Sequence, residues 1–543
     1  MEAVLPKSVN YLDTLPKAVP SERKRKNFFA ANGTQYRPGQ TMIIEVSDGR
    51  AFLDPHNSFL RFTVTNQGAN NMVPELGGGQ AFIRNFRVQQ NGNTIMNIQA
   101  YNRLYCGIIA PTTGGNQWRA ATSVYENVAG YGTQTGAAAT SNVPAPVLEF
   151  NGGHATSSNV PSLNNPMATM EFCVPLIGGL FSQSKLIPLP LVSQNQPIQL
   201  IFDLETEDNC VVWDAQPAGP ADLLISNVRY CAEMVEVPRD VLGYLSQQQA
   251  AHGGSLIIQA SSYEFSNGVL AAGATGAHII NIPSRKRSIK SIQFVAMANA
   301  TTIINFAAAA GSGIPAGSGP WGVFNLSTSN NPCIASYQLR AGSLVMPPTA
   351  IQGPGGRNNG VVGLPGAPRA GNITVAGLPN EDSNKGEAAF EMAKALGHLG
   401  STMGMGGCSR LTYANSDQVG FGNTGTNWVC GQGMAGAGAD FICGPEGLAP
   451  GVPSVGDQWK FSPFAIDLEA YQREAINSGL NTKELSLQMT LHLEIDNVLS
   501  IPDTGGGGFA AAAGQSSPVQ FDIYTYHDIL YYFNSDGSIT YSE

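Results

Sequence analysis

The clearest pattern of hydrophobic and polar positions along the chain lies in residues 198–205, where the two kinds of residue alternate. Every second side chain there is apolar, namely Ile198, Leu200, Phe202 and Leu204. A period of two is the signature of a strand with one buried face. Pro197 suits the start of such a strand, because proline lacks the amide proton that a strand interior needs. The segment is therefore predicted to be a core strand.

Strand patterns of this kind recur in both halves of the chain, with little helical spacing between them. In the first half they occupy residues 41–46, 59–65, 81–98, 170–174 and 223–237. In the second half they occupy residues 255–265, 278–282, 288–297, 337–346, 461–468, 484–495, 521–533 and 538–541. The dipeptide Asn91-Gly92 predicts a tight hairpin turn, because both residues tolerate a positive φ. Consecutive strands without intervening helices predict antiparallel sheets.

Helical spacing is clear only in residues 387–399. The apolar stripe of this segment consists of Ala389, Phe390, Ala393, Leu396 and Leu399. Such a stripe predicts one amphipathic helix that packs against a sheet. At about 1.5 Å per residue the helix would span roughly 20 Å, enough to cap one sheet edge but too short to form a domain.

Composition agrees with a β-rich chain that carries long loops. Glycine and proline number 63 and 34 among 543 residues, and charged residues make up only 13%. This length exceeds a single β-sandwich and suits two domains. We predict an arm over residues 1–30, a first sandwich over 31–240, a linker over 241–254 and a second sandwich over 255–543. Stretches of low periodicity after Ala110, Gly353 and Gly400 predict long loops.

The predicted arm contains a compact run of basic residues, Arg23, Lys24, Arg25 and Lys26. A run of this kind is commonly just solvated. The alternative is that these four residues contact the inner face of an assembly, against a neighbouring subunit, a membrane or a genome. The net charge of −10 argues against genome condensation by the whole chain. No signal peptide or apolar spanning segment is evident, so we expect the protein not to be secreted.

Several short segments follow one another in a recognisable order. The first half has Pro188-Leu-Pro190 just ahead of the core strand. The second half has, in order, Tyr337–Ser343, Pro347-Pro348, the predicted helix, Phe464–Glu469, His527-Asp528 and Asp536-Gly537. This order resembles the double-jelly-roll major capsid proteins of double-stranded DNA viruses, of the virophage and Polinton-like type. The long glycine- and alanine-rich loops match no part of that pattern.

The resemblance implies an all-β fold of two tandem eight-stranded antiparallel jelly rolls with long loop insertions and a few short helices. It implies a major capsid protein, a structural subunit of pseudo-hexameric homotrimeric capsomers in an icosahedral shell. The implied partners are neighbouring capsomers, penton and minor capsid proteins, together with an inner membrane or genome reached by the arm. The implied location is the virion, assembled inside the host cell.

Sequence signatures of catalysis are missing, including the phosphate-binding loop, the nucleophile elbow and zinc-ligand spacings. We therefore predict no enzymatic activity, no cofactor and no small-molecule substrate. Residues 431–436 fit the spacing GxGxxG, but more glycine follows where a helix should begin, so a loop is predicted. The eight cysteines form no CxxC pair, which predicts free thiols.

Two candidate sites involve the acidic run from Asp203 to Asp208. Carboxylates at alternating positions could bind calcium, although a solvated strand end gives the same pattern. Asp203 and Glu205 would also be same-face strand neighbours roughly 7 Å apart, a spacing compatible with a glycosidase acid–base pair. His492 and His527 lie in strand patterns, where a hydrogen-bonded structural histidine is the default.

Three classes of function therefore remain open at the level of the sequence. A structural shell protein explains the doubled strand pattern, the missing catalytic signatures and the long loops. A carbohydrate- or receptor-binding β-sandwich, such as a fibre or lectin, explains the sheets but would favour clustered tryptophans, and the five present are scattered. A glycan-active enzyme depends on the Asp203 and Glu205 pair alone.

Overall fold

The structure is a computed structural model of the chain. It describes residues 21–68, 72–74, 78–109, 112, 131–132, 145–146, 169–192, 196–213, 222–251, 253–271, 274, 276–298, 326, 334–353, 386–397, 421–423, 428–430, 463–470, 479–495 and 519–543. Antiparallel sheets dominate these residues, and the helices among them are short.

The first half of the chain forms a sandwich of two antiparallel sheets. Its strands are β1 (Glu22–Phe29), β2 (Gln35–Tyr36), β3 (Thr41–Val46), β4 (Ala51–Asn66), β5 (Met72–Pro74), β6 (Ile83–Gln90), β7 (Asn93–Ile98), β8 (Tyr131–Gly132), β9 (Ala145–Pro146), β10 (Thr169–Pro175), β11 (Ile198–Leu204), β12 (Val211–Trp213) and β13 (Leu223–Glu236). One sheet has the order β1-β13-β4-β10, and β2 also pairs with β13. The facing sheet has the order β3-β11-β6-β7. Two small pairs, β5 with β12 and β8 with β9, lie apart from these sheets.

The second half repeats this arrangement strand for strand. Its strands are β14 (Ser255–Leu270), β15 (Gly276–Ile282), β16 (Ile289–Ala298), β17 (Ile334–Ala341), β18 (Leu344–Gln352), β19 (Phe421–Asn423), β20 (Trp428–Cys430), β21 (Phe464–Asp467), β22 (Met489–Ile495), β23 (Val519–Asn534) and β24 (Ile539–Ser542). The sheets have the orders β14-β23-β16-β21 and β15-β22-β17-β18, while β24 extends the first by pairing with β23. Strands β19 and β20 form a separate pair. Eight strands in this order make a jelly roll, so each half is one jelly roll.

Short helices connect the strands. They are α1 (Tyr101–Leu104), which continues into a π-helical turn at Tyr105–Ile109, α2 (Glu207–Cys210), α3 (Arg239–Ala251) and α4 (Gly386–Ala395). Single 3-10 turns occupy Gly78–Phe82, Gly179–Phe181 and Leu189–Leu191. Helix α3 joins the two jelly rolls and contains most of the residues predicted as the linker.

The two jelly rolls stand side by side with their strands pointing the same way. Both hairpin turns, Asn91-Gly92 between β6 and β7 and residues 342–343 between β17 and β18, belong to the end that we call the short-turn end. The longest connections, 99–168 and 353–463, start and finish at the opposite end. Gln90, beside the first hairpin, bonds to Gly537 and Ile539 near the close of β23, which fixes the parallel arrangement.

The core of the first jelly roll confirms the core strand predicted at residues 198–205. The side chains of Ile198, Leu200, Phe202 and Leu204 are all buried. Phe202 stacks on Phe86 of the neighbouring strand, with ring centroids 4.9 Å apart and planes 5° from parallel. Offset stacking of buried aromatic rings adds to the free energy gained by removing them from water. The alternation therefore identified both the strand and its buried face.

Two predicted boundaries are wrong. Residues 22–29 belong to no arm, because they form β1, which pairs along its whole length with β13. The predicted helix 387–399 ends at Ala395, and its buried residues are Ala388 and Met392. Phe390, assigned to the buried stripe, is 57% exposed. Ala389 and Leu396 of the predicted stripe are partly buried and pack against the second core, so the prediction holds at these two positions and is wrong at Phe390.

Candidate assembly surfaces

A buried ion pair joins the two jelly rolls. Arg103, on the helix that follows β7, places its Nε atom 3.3 Å from a carboxylate oxygen of Asp522 on β23, and each side chain is only 2% exposed. The guanidinium also donates to the carbonyl oxygens of Ala296, at 3.3 Å, and Leu326. Burial raises the pKa of the Asp522 carboxyl, and the positive charge of Arg103 opposes that shift. A buried charge is costly unless it is paired, so each roll needs the other to keep its charged residue paired.

Neutral contacts extend the same junction along its length. The Tyr524 hydroxyl donates to the carbonyl of Ala100 at 2.8 Å. Near the short-turn end the Gln90 amide donates to the carbonyl of Gly537 at 2.8 Å, and its oxygen accepts from the amide of Ile539 at 2.7 Å. Apolar residues of the second roll, including Tyr531, belong to the same buried cluster as the core of the first. Side chains of the second roll therefore extend the first core across the junction, while the second roll has a separate core of its own.

The junction joins two different kinds of surface. The first roll contributes its edge strand β7, the helical segment after it and the turn at Gly179–Phe181. The second roll contributes the outward face of the sheet β14-β23-β16-β21, where Tyr263 stacks on Tyr526 with ring centroids 4.8 Å apart. Because the two partners use unlike surfaces, the contact is of the head-to-tail type.

The matching sheet of the first roll has an outward face that is exposed at Phe29 and buried at Cys231. Five residues define what we call the first-roll face: Phe29, Phe59, Arg61, Arg229 and Cys231. Phe29 is 64% exposed, and β-sheet registration places it next to Arg229, which in turn lies next to Arg61. The Nε atom of Arg229 is buried and has no hydrogen-bond acceptor within the part of the chain that the structure describes. The Nε atom of Arg103 in the covered junction has the same status, and the Arg229 side chain also hydrogen-bonds Cys231, so this atom alone does not mark an open interface.

The second roll has a corresponding exposed edge at strand β18. We call Leu344, Val345 and Leu485 the second-roll edge; these side chains are 45%, 38% and 60% exposed. The amide of Gly342 donates to the carbonyl of Gln488 at 3.2 Å, which brings the β17–β18 turn beside the loop that carries Leu485. Exposed apolar residues grouped in this way commonly mark an interaction surface.

The four basic residues assigned to an inner-face arm lie instead in β1, each beside an acidic partner. Their ion pairs are Arg23 with Asp54 at 2.8 Å, Lys24 with Glu236 at 3.1 Å, Arg25 with Glu233 at 2.8 Å and Lys26 with Asp48 at 2.9 Å. The hydrogen bonds that Lys24 makes with Glu22 and Glu236 raise its pKa. These ion pairs form within the first roll. The sequence alone could not show them, because the acidic partners come from other parts of the chain.

The acidic run from Asp203 is held by protein donors. The Asp203 carboxylate accepts from the Thr41 hydroxyl at 2.8 Å and pairs with Arg87 at 3.2 Å. The strand ends at Leu204, and Glu205 is buried, where it accepts from the Asn102 amide at 2.8 Å. The two carboxylates are therefore not strand neighbours, and that expectation is wrong. Within the described ranges no three His, Cys, Asp or Glu residues are grouped as a metal site.

The other predicted features are structural or fall outside the described residues. His492 contacts the Thr490 hydroxyl at 3.0 Å, and burial lowers its pKa. His527 lies 3.1 Å from the carbonyl of Thr525. Cysteines whose side chains the structure describes are free thiols, as predicted: Cys106, Cys173, Cys210 and Cys231. The glycine-rich segment 431–436 lies outside the described residues, and so does most of the long loops after Ala110, Gly353 and Gly400.

The residues that carry the junction were not predicted from the sequence. Arg103 lies in a mostly apolar segment, and Asp522 lies between two apolar residues of β23. The signal that could have found them is that β23 is apolar on both faces, which indicates a strand covered on both sides. A charged residue in such a strand needs a partner from whatever covers it.

Two parallel jelly rolls joined by a buried junction define a double jelly-roll protein. The fold is that of viral capsid structures. PBCV-1 VP54, fitted into a reconstruction of the virophage Sputnik, matches with a TM-score of 0.53 and 9% identity over 98% of this chain and 98% of that chain. The quasi-atomic model of the PBCV-1 virus capsid matches with a TM-score of 0.50 and 10% identity over the same shares.

At such low identities the likeness concerns the fold, and it confirms the double jelly roll predicted from the sequence. No family model and no curated protein matches the sequence. Among the described residues no helix is long and apolar enough to cross a membrane.

Proposed function

We propose that this chain is a major capsid protein, the structural subunit of an icosahedral shell of a double-stranded DNA virus, and that it is located in the virion. The fold supports this role, since two solved capsid structures share it along nearly the whole chain. The proposal includes no enzymatic activity. The alternative, a carbohydrate- or receptor-binding β-sandwich, is not better supported by this fold.

The observation that carries the proposal is the head-to-tail junction between the two rolls. The sheet β14-β23-β16-β21 is covered on its outward side by the first roll, whereas the matching first-roll face leaves Phe29 exposed. A head-to-tail contact that is repeated between copies produces a ring if its rotation closes. Three copies would place six jelly rolls around one axis, which is the homotrimeric, pseudo-hexameric capsomer.

Further partners follow from a shell built of such capsomers. We propose contacts with neighbouring capsomers and with penton and minor capsid proteins, which close the shell where sixfold packing cannot. An inner membrane or genome contact through Arg23, Lys24, Arg25 and Lys26 would have to use the solvent-exposed side of β1, because these residues already pair with acidic neighbours. Individually weak contacts suffice between capsomers, since many act together in a closed shell.

The test is the mass of the purified protein in solution combined with electron microscopy of its assemblies. We expect trimers with a hexagonal outline, and shells when the protein is expressed with its partners. An obligate trimer of this kind buries upwards of about 2,000 Å² per interface and leaves little free monomer. A protein that stays monomeric and forms neither hexagonal particles nor shells would overturn the proposal.

A further inference from the structure

We propose that His527 acts as a proton-dependent latch on the segment that follows β23. We call residues 537–543 the strap; it includes β24. When the imidazole of His527 is charged, it holds Glu543 of the strap against the second roll, and when the ring is neutral that attraction is lost. The inference goes beyond the proposed function and does not depend on it.

The strap lies at the short-turn end and contacts both rolls. At its start, the carbonyl of Gly537 and the amide of Ile539 bond to Gln90 of the first roll, and Ile539 is buried in the first core. In its middle, β24 pairs with residues 530–533 of β23. At its far end, the carboxylate of Glu543 pairs with Lys286 of the second roll. A group that fastens Glu543 therefore fastens a segment that connects the two rolls.

The contacts of His527 fix where its protons lie. Its Nδ1 atom is 3.1 Å from the carbonyl oxygen of Thr525, and because that oxygen can only accept, Nδ1 must carry a proton. In the neutral ring Nε2 is then an acceptor. Nε2 faces the Glu543 carboxylate at 3.6 Å and has no hydrogen-bond partner among the described residues. Two acceptors repel each other, so only the charged ring attracts the docked carboxylate.

The charges around Glu543 balance only when His527 is protonated. Lys286 is buried, and it pairs with Glu543 and, at 3.4 Å, with Glu264 of β14. Two carboxylates and one ammonium group leave a sum of −1, which an imidazolium brings to zero. His527 is only 1% exposed, so water screens a remaining charge poorly at this position. Loss of the proton therefore leaves an uncompensated negative charge beside the ring.

No other ionisable group near His527 takes over this role. Glu264 and Lys286 approach from β14 and from the loop before β16, while β16 itself places Ile289 opposite the ring. On β23, Asp528 points to the opposite face and pairs with Lys290 at 3.4 Å. Burial raises the pKa of Tyr531, and on the strap Tyr541 lies beside that residue. Glu543 is therefore the partner whose attraction to His527 depends on the imidazole proton.

The latch is closed in mildly acidic solution and opens as the pH rises. Burial by itself would raise the pKa of Glu543, but bonds from His527 and Lys286 lower it to about 2, so the carboxylate stays charged around neutral pH. A cation that stabilises the docked strap does so below the pH at which it loses its proton and not above it. Above that pH Lys286 alone holds the carboxylate.

The test is hydrogen–deuterium exchange of the full-length protein, measured by mass spectrometry on peptides that cover the strap. The pH is varied from about 5 to about 8, the range in which an imidazole ordinarily changes charge. Exchange rates are corrected for their intrinsic dependence on pH, and peptides from the core strand β11 (Ile198–Leu204) provide the reference. The variants are His527→Gln and Glu543→Gln. The matched control is His492→Gln, because His492 lies on β22 in the other sheet of the second roll.

In the wild type we expect the protection of the strap to fall about tenfold from acid to base, the scale of one hydrogen bond to a charged group. The protection of β11 should stay constant. His527→Gln and Glu543→Gln should each remove the pH dependence, and the double variant should behave like either single variant, because both substitutions remove the same contact. His492→Gln should follow the wild type. If His527→Gln does not fold, Glu543→Gln carries the comparison, because its side chain is partly exposed.

Three outcomes would overturn the inference. The first is a wild-type strap whose protection does not change with pH relative to β11. The second is a pH dependence that persists in His527→Gln or in Glu543→Gln. The third is its loss in His492→Gln, which would assign the titration to a different histidine. The capsid role is tested separately by mass and microscopy, so it stands or falls independently of these results.

Discussion

Arg103 and Asp522 lie 3.3 Å apart in the contact between the two jelly rolls, and each side chain is only 2% exposed. The pair joins a helix of the first roll to the central strand of a sheet in the second. Its strength depends on both partners being present, because a lone buried charge has neither water nor a counterion.

Removal of one partner of this pair should be far more costly than removal of an exposed ion pair. We expect Asp522→Ala to lower the free energy of unfolding by about 3–5 kcal/mol. Arg287→Ala serves as the control, since Arg287 pairs with Glu484 on the surface at 3.7 Å, and it should change stability by less than about 0.5 kcal/mol. Denaturant unfolding measures both. Equal effects of the two substitutions would contradict the role assigned to Asp522.

Stability should fall with acid in a way that depends on Glu543. Burial by itself would raise the pKa of this carboxyl, but His527 at 3.6 Å and the adjacent Lys286 outweigh that effect and lower the pKa to about 2. A carboxyl whose pKa is depressed in the folded state stabilises the protein above its unfolded pKa. This stabilisation is lost as the pH falls from about 4.5 toward 2.

The measurement is the free energy of unfolding between pH 6 and pH 2 for the wild type and for Glu543→Gln. We expect the curve of the variant to be flatter in the acid range, because the linked protonation is gone. Glu494→Gln is the control, since Glu494 is exposed on β22, and its curve should follow the wild type. Parallel curves for wild type and Glu543→Gln would rule out this linkage.

Gly179 should tolerate no side chain. It has a φ of +52°, and a β-carbon at this position would lie 2.2 Å from the sulfur of Met96 and 2.5 Å from the hydroxyl of Tyr531. Gly253 has a φ of +76° with no atom within 4 Å of such a carbon. Both substitutions to alanine carry backbone strain of about 1 kcal/mol, and only Gly179→Ala adds the clash, by about 1–3 kcal/mol.

The comparison of these two glycine variants by thermal unfolding isolates packing from backbone strain. Gly179→Ala should also weaken the contact between the rolls, since Tyr531 belongs to the second roll and Met96 to the first. Equal melting temperatures for the two variants would mean that the junction can rearrange to accept a methyl group at this point.

Phe172 is buried and Phe390 is exposed, so substitution of each by alanine should have very different effects on stability. Phe172 is fully buried against Phe62 and Phe82, with ring centroids 5.4 and 5.3 Å away. Phe172→Ala should cost about 3–5 kcal/mol. Phe390→Ala should change the stability of the isolated chain by less than about 0.5 kcal/mol, because this ring is 57% exposed. Urea unfolding of both variants measures this difference in stability. A large loss of stability in Phe390→Ala would show that helix α4 buries this ring.

Truncation distinguishes a strand from an arm at the start of the chain. Deletion of residues 1–30 removes β1, leaves the edge of β13 unpaired and takes away four partners of acidic residues. We expect that deletion to lower the melting temperature and to promote aggregation through the exposed edge. Deletion of residues 1–20 keeps every one of these contacts and is the control. Unchanged folding after loss of residues 1–30 would restore the arm interpretation.

Sequence alone identified most of the fold because alternation is a local property. The strand that contains Phe202 was found with its buried face, and the hairpin at Asn91-Gly92 was found from its turn residues. The basic strand β1 was missed, because Arg23 to Lys26 show no alternation between apolar and polar residues. What makes those residues a strand is their pairing with β13, whose acidic residues Glu233 and Glu236 lie 208 and 212 positions further along the chain than their partners Arg25 and Lys24.

The assembly surfaces could not be predicted from the sequence for a different reason. Val345 looks like any strand valine, and its exposure becomes meaningful only when β18 is compared with β7 in the other roll. Likewise, Phe29 follows a basic run that suggested solvent or a charged partner. Only a comparison of the two rolls shows that a surface covered in one is exposed in the other, so the local sequence of either roll does not reveal it.

Strand β23 is paired on one side with β14 and on the other with β16, and it also carries Asp522 and Tyr524 toward the first roll. The first roll precedes β23 in the chain and can fold while synthesis continues, but β14 must wait for its neighbour until residues 519–534 have been made. Until then the Arg103 side of the first roll has no cover, so we expect the growing chain to expose the junction surface for much of its synthesis.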